Sequence, residues 1–370
     1  MCRVPADKSK YRCGRPSYSA FALCWLLLPV AGNASIYTVV DLGAPTRVSC
    51  GAINPQVGEI NKSGLIVGSA CVAFVWSSES GMQRPGSLPG DAASVAYGVN
   101  SAGVVVGGSG YVDHRGPGVW IYRNRGAFVW SRATGMRTLG MLPGTPDSIA
   151  FDISDTGYVV GASGSRGVLW NEADEIRDLG SLPGGGKVVA TRINNAGAVV
   201  GTSGDRAFIW TLDDGMRDLG TLPGADWASA MGINELGDVV GSSGSDAFVW
   251  NPADGMRSLG SLPGTGRTIA YDINDAGVIV GFSAGAAFLW PARAGLQSLN
   301  EFIAPLSGWN LISAQAINSR GQIAGWGTYS DLGPRAFLLE PLATGIPEPD
   351  FWSLLIMGRA MVGVVFRARR

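Results

Sequence analysis

"GADWASAMGINELGDVVGSSGSDAFVWNPADGMRSLGSLPG", residues 224–264, contains four short runs of strand-forming residues, "SAMGI", "DVVGS", "AFVW" and "MRSLGSL". Turn residues bound each run, so the segment reads as four strands. Between the first two, Asn234 and Gly237 are turn chemistry: Asn stabilises the start, and Gly supplies the positive φ that the turn requires. Within "AFVW" the strand period of two puts Phe248 and Trp250 on one face and Ala247 and Val249 on the other.

The same text recurs along the chain. Trp76, Trp130, Trp170, Trp210, Trp250 and Trp290 each close an "AFVW"-like run, the last five 40 residues apart. An Asn-x-x-Gly-x-x-x-Gly pattern or close variant begins at residues 61, 100, 154, 194, 234, 274 and 318, giving seven units, and Leu-Pro-Gly follows at Leu88, Leu142, Leu182, Leu222 and Leu262. Four strands per unit of about 40 residues predict an all-β chain, a β-propeller of seven four-stranded blades. The last unit ends after its third strand, "RAFLLEP" (335–341), while "YTVVDLG" (37–43) resembles the fourth-strand text "MRDLG" (216–220). An N-terminal strand completing the last blade would close the ring and leave no open edge. The competing architecture is an open stack of β units. In a propeller both faces of a blade are covered, so the Phe/Trp ridge is expected to fill the small-residue side of the next blade. The repeated Trp is then a packing peg rather than a ligand platform.

Composition agrees: charged residues are 15% of the 370 and Gly numbers 55, which suits short strands and tight turns. The ends differ in kind. Residues 1–34 combine basic residues, the apolar run "AFALCWLLLPVA" (20–31) and small residues at Gly32 and Ala34, the layout of a secretory signal peptide. The repeat domain spans 35–345. From residue 346 the chain reads "IPEPDFWSLLIMGRAMVGVVFRARR": Pro347, Glu348 and Pro349, an apolar stretch, then a basic end. The apolar run (351–366) has 16 residues with Arg359 midway, where a full span takes about 20. Export leaves Cys50 and Cys71 as a candidate disulfide pair. Residues 35–346 hold 19 Lys/Arg and 26 Asp/Glu, a net charge of −7, which argues against nucleic acid as a partner.

Two resemblances follow. The tail resembles the PEP-CTERM sorting signal, which implies an exosortase-type processing enzyme as partner, transient membrane association through the tail, and delivery to the exterior of a Gram-negative cell. A plain C-terminal anchor is the alternative. The combined repeat text, L-G-x-L-P-G, I-N-x-x-G-x-V-V-G and A-F-x-W, resembles the HAF family of extracellular bacterial repeats. The His that often precedes Ala-Phe in that family is missing; Val72, Gly126, Arg206, Asp246, Ala286 and Arg335 stand there.

Candidate sites lie where the repeat is broken. The turn at 108–126 is about 14 residues longer than its equivalents and carries Tyr111, the chain's single His (His114), Arg115, Trp120, Tyr122, Arg123 and Arg125. Aromatic rings beside Arg suit sugars and anions; the alternative is an extended hairpin without a ligand. The position two residues before each repeated Asn also varies, with Glu59, Asp152, Arg192 and Asp272 among its occupants, and would ring one mouth of the central channel. Asp152 and Arg192 are expected to pair across adjacent blades. No nucleophile elbow, HExxH, P-loop or Cys/His metal spacing occurs, so no catalytic residue, metal or cofactor is assigned. The expected function is an exported, non-catalytic protein of the cell surface or biofilm matrix that binds an extracellular polysaccharide or surface protein. The alternative is a polysaccharide-active hydrolase or lyase using the channel carboxylates.

Overall fold

The computed structural model describes residues 36–43, 55–70, 72–116, 119–291 and 295–342, with the backbone alone at 114–116 and 119–121. The signal-like segment (1–34), Cys50, Cys71 and the tail with Pro347, Glu348 and Pro349 lie outside the described residues. Seven four-stranded antiparallel sheets form a β-propeller. In blades 1 to 6 the strands pair in chain order, first strand innermost: 56–86, 93–138, 148–178, 188–218, 228–258 and 268–298. Blade 7 takes three strands from 309–341 and its fourth from the chain's beginning. Tyr37–Asp41 pairs antiparallel with Pro334–Pro341, Tyr37 opposite Pro341 and Asp41 opposite Phe337. Arg335 Nε lies 2.8 Å from Asp41 Oδ2 and fixes the register. This closure rules out an open stack.

Blade 5 shows why the sequence folds this way. Its strands are Ala228–Ile233, Val239–Ser243, Asp246–Asn251 and Gly255–Ser258. Phe248 (0% exposed) and Trp250 (7%) pack on Val200, Ala207 and Leu219 of blade 4. Ala247 and Val249 in turn receive Phe288 and Trp290 of blade 6. Each ridge therefore fills the shallow side of the preceding blade, not the following one. The period of two separates the faces but does not say which one turns toward which neighbour. Each buried pair contributes on the order of a few kcal/mol. A fourth-strand Arg from the preceding blade covers the Trp: Arg217 lies 5.0 Å from the Trp250 ring and Arg257 5.3 Å from that of Trp290.

The fourth strand is shorter than "MRSLGSL" suggests. It ends at Ser258, and Leu259 and Leu262 turn into the core. The Leu-Pro-Gly loop then clasps the next blade, Leu262 N donating to Ser283 Oγ at 3.0 Å, as Leu222 N does to Ser243 Oγ and Leu182 N to Ser203 Oγ.

The repeated Asn makes the matching clasp at the other face. Asn234 Oδ1 accepts the N–H groups of Leu236 and Asp238, holding the turn that Gly237 closes at φ +83°. Its Nδ2 donates to Asn274 O of the next blade at 3.3 Å. The same amide-to-carbonyl bond joins blades 1 to 2, 2 to 3, 4 to 5 and 6 to 7, and Asn318 Nδ2 closes the circle on Asn61 O at 3.0 Å. The chain breaks between blades 3 and 4, where Ser154 replaces Asn and has no amide to give.

Candidate functional site

The channel wall is built by a bulge repeated in every innermost strand. Each pairs with its second strand in a register that slips by one residue, between Ala150 and Asp152 in blade 3, Ala190 and Arg192 in blade 4, and at equivalent points in the other five. A bulge interrupts the alternation of faces. In blades 1, 3, 4 and 6 two consecutive residues of the strand consequently line the channel, Gly58/Glu59, Phe151/Asp152, Thr191/Arg192 and Tyr271/Asp272. The repeated Gly of the second strand makes room for this: a Cβ on Gly241 would stand 2.0 Å from Ser229 O and 3.0 Å from the Phe248 ring.

The two rings differ in chemistry. Toward the Asn turns, Glu59, Asp152, Arg192 and Asp272 come together around a small chamber of about 150 Å³, as the sequence suggests. Toward the Leu-Pro-Gly loops, the bulge residues Tyr97, Phe151, Met231 and Tyr271 line a larger chamber of about 560 Å³. The rings of Tyr97 and Phe151 meet at 5.1 Å, tilted by 59°. Arg192 lines both chambers. Its Nη1 donates to Thr191 O at 3.2 Å, and its Nη2 reaches across the axis to Gly58 O of blade 1 at 3.4 Å.

Asp152 and Arg192 do not form the expected ion pair. Asp152, only 3% exposed, accepts from Ile153 N at 2.7 Å and from Ile193 N of blade 4 at 2.8 Å. Asp272 does the same with Ile273 N and Ile317 N of blade 7, and Glu59 accepts from Val99 N of blade 2 at 3.1 Å. The carboxylates are taken up by backbone N–H groups, one from the next residue for Asp152 and Asp272 and one from the following blade for all three, rather than by the guanidinium. Burial, with Asp152 and Asp272 nearby, holds the Glu59 carboxyl well above its ordinary range, against the pull of Arg192 and the Val99 N–H. Burial also pushes Asp272 up to about 6, opposed by Arg192 and its two N–H donors and assisted by Asp152. Burial works against the Arg192 charge, yet Asp152, Glu59 and Asp272 outweigh it and raise its pKa.

A second belt surrounds the small chamber. Asp155 Oδ1 accepts from Ser101 N at 2.8 Å, Asn195 Oδ1 from Asp155 N at 2.7 Å, and Asp275 Oδ1 from Glu235 N at 3.0 Å. Lys62 Nζ adds a contact to Asp155 at 3.4 Å. These side chains are tied between blades and serve the scaffold. Among the described residues no group of three His, Cys, Asp or Glu is placed to hold a metal ion.

The long turn is an extended hairpin, Val105–Gly116 pairing with Val119–Ser131. A register shift between Ser109 and Gly110 bends it, and Asn124 Nδ2 bonds Ser148 O of blade 3. Val112 and Tyr122, cross-strand partners, thereby join the wall of the aromatic chamber. Tyr122 Oη lies 3.4 Å from Asn124 Oδ1. Tyr111 is 39% exposed beneath the Arg125 guanidinium at 4.8 Å, and Arg125 also meets Asp91 at 3.4 Å. Arg123 pairs with Asp113 at 3.8 Å. His114 sits opposite Trp120 in the backbone register; the side chains of His114, Arg115 and Trp120 lie outside the described residues. Of the hairpin candidates whose side chains are described, Tyr122 reaches the channel, at the end opposite Glu59, Asp152 and Asp272, with Arg192 between.

Sequence reasoning missed Tyr97, Phe151, Met231 and Tyr271. Alternation turns the residue next to Asp152 away from the channel, and only the bulge brings both to it. Its signal was present as a variable position three before each Asn, facing an unvarying Gly.

No protein-family model matches the chain, and no curated protein matches it. Solved structures match its fold. Virginiamycin B lyase from Staphylococcus aureus has a TM-score of 0.54 at 10% identity, covering 83% of this chain and 99% of the lyase. The extracellular domain of a putative one-component system from B. thetaiotaomicron has a TM-score of 0.52 at 13% identity over 82% of this chain. This chain spans 40% of that one. A streptogramin B lyase has a TM-score of 0.51 at 11% identity, with 83% and 98% covered. At these identities the likeness is one of fold: the chain is a seven-bladed β-propeller.

Proposed function

We propose that this protein is an exported, non-catalytic binding propeller of the bacterial cell surface or extracellular matrix, and that it holds a glycan in the aromatic chamber. The observation that carries the reading is the chamber itself. At about 560 Å³ it falls within the range of small-ligand sites. Its aromatic rings offer faces to a sugar ring, and Gln56, Gln315 and the Tyr hydroxyls supply polar edges. A recessed cavity narrowed by a hairpin favours a glycan over a flat protein surface. The signal-like segment, the PEP-CTERM-like tail and the HAF-type repeats support export and surface delivery, with an exosortase-type enzyme removing the tail.

The enzymatic alternative draws on Glu59 and Asp272, two carboxyls whose raised pKa values suit proton transfer. Against it, all three acids already accept backbone hydrogen bonds, and the chamber they line is about 150 Å³, small for a glycosidic bond and its two sugars. The test uses protein secreted by an exosortase-carrying host, its mass locating both ends, on a glycan array and in a reducing-end assay. Binding is expected without turnover, and Tyr97→Ala and Phe151→Ala should each weaken it about tenfold. Turnover that disappears in Glu59→Gln would establish the enzyme instead.

A further inference from the structure

Arg192 is singular among the channel residues. A guanidinium carries five N–H donors, and here two of them meet protein acceptors, the carbonyls of Thr191 and Gly58. None of the three nearby carboxylates is ion-paired with it; each is turned instead to backbone N–H groups. A partly buried guanidinium with donors to spare, on the floor of a chamber walled by aromatic rings, is arranged for an anion that enters from outside. Its planar fork matches a carboxylate with two parallel bonds. Tyr97 and Phe151, from adjacent blades, and Tyr271, from the opposite part of the ring, offer aromatic faces on which the C–H face of a pyranose packs.

We infer that the glycan held in this chamber is acidic: a hexuronate unit whose ring lies between the Tyr97/Phe151 pair and Tyr271, and whose carboxylate receives the free donors of Arg192. This rests on the glycan-binding reading and narrows its ligand class. Neutral sugars would leave the guanidinium as it stands. A uronate would complete it, and a charge-assisted bond of this kind discriminates by about 10- to 100-fold.

The groups around Arg192 add a second signature. Glu59 faces it from blade 1, Asp152 from blade 3 and Asp272 from blade 6, while in blades 2, 5 and 7 the uncharged Gly98, Gly232 and Ala316 hold the equivalent register position. Toward the aromatic chamber the titratable groups are Tyr97, Tyr122 and Tyr271, all held neutral by burial. An anion arriving at Arg192 repels the acids behind it, and Glu59 and Asp272 are the two that take up a proton most readily. Binding of a uronate is therefore coupled to proton uptake and strengthens as pH falls from 8 to 5, a range in which a sugar carboxylate stays ionised.

The experiment is calorimetric titration of the protein with oligogalacturonate and oligomannuronate, each as the free acid and as its methyl ester, at pH 5, 6, 7 and 8. The free acid should bind about tenfold or more tighter than its ester at pH 6. Its affinity should fall several-fold toward pH 8 while that of the ester stays level, and Arg192→Gln should abolish the difference between the two. Because Arg192 also bonds Gly58, Arg192→Lys is the companion variant: it keeps the charge, loses the fork, and should retain only part of the preference. Esters bound as tightly as acids in the unsubstituted protein would overturn the acidic-ligand inference and leave the glycan reading standing. So would an acid preference that survives in a folded Arg192→Gln protein. Failure of both forms, and of neutral oligosaccharides tested beside them, would remove the glycan reading as well.

Discussion

Glu59 and Asp272 set the channel's dependence on pH. A carboxyl whose pKa is higher in the folded chain than in the unfolded one binds more protons when folded, so stability falls as pH rises between the two values. For Asp272 that window runs from the ordinary carboxyl value of 3.8 to about 6, a difference on the order of 2–3 kcal/mol. Glu59 acts in the same direction. The fold is thus relieved of this cost below about pH 4 and carries it in full above the folded pKa values. Glu59→Gln keeps an oxygen for Val99 N and removes the like charge. Thermal melts should place the variant above the parent at pH 8 and level with it, or below, at pH 4. A variant no more stable at pH 8 than at pH 4, relative to the parent, would show that Glu59 carries no such strain.

At the scale of the element, two glycines of one unit separate two uses of the residue. Gly237 closes the Asn turn at φ +83° and has nothing within 4 Å of an added Cβ. Gly241 lies in the second strand, where a Cβ would collide with Ser229 O of the innermost strand, just before the bulge, and with the Phe248 ring. Gly237→Ala should cost about 1 kcal/mol, the strain of a positive φ. Gly241→Ala should cost about 3 kcal/mol or more, since both backbone and ridge must move, and denaturant midpoints compare the two directly. This contrast also marks what was legible in the sequence. Asn234 and Gly237 announce their turn, and Phe248 and Trp250 announce a two-faced strand, because those signals are local. The bulge depends on how one strand lies against another, so Gly241 reads only as a repeated letter. The aromatic chamber that the bulge creates stays hidden, although the charged ring one residue along is visible.

For the whole molecule the decisive bonds join the first described strand to the last. Tyr37–Asp41 is the outer strand of blade 7, and Leu42 packs with Phe74 and Trp76 of blade 1, so one short segment serves two blades at the seam. Elsewhere neighbouring blades are held by continuous chain; at the seam, blade 7 meets blade 1 through this segment, the Asn318 to Asn61 bond and the Val57 N–H donated to Gln315 Oε1 at 3.1 Å. A chain beginning after residue 43 would expose the edge of Pro334–Pro341 and uncover Phe337, Leu338 and Leu339, each 1% exposed or less. Its melting temperature should drop by well over the 2–4 °C that about 1 kcal/mol represents for a domain of this kind. Moving residues 36–43 to follow residue 342 through a short flexible linker restores the same strand in the same sheet. Recovery in that permuted chain, with loss in the truncated one, would locate the stabilisation in closure itself. Equal melting of the truncated and parent chains would mean that the contacts between blades 7 and 1 at the inner strands, the Asn318 to Asn61 bond among them, keep the propeller shut without closure of the outer strand.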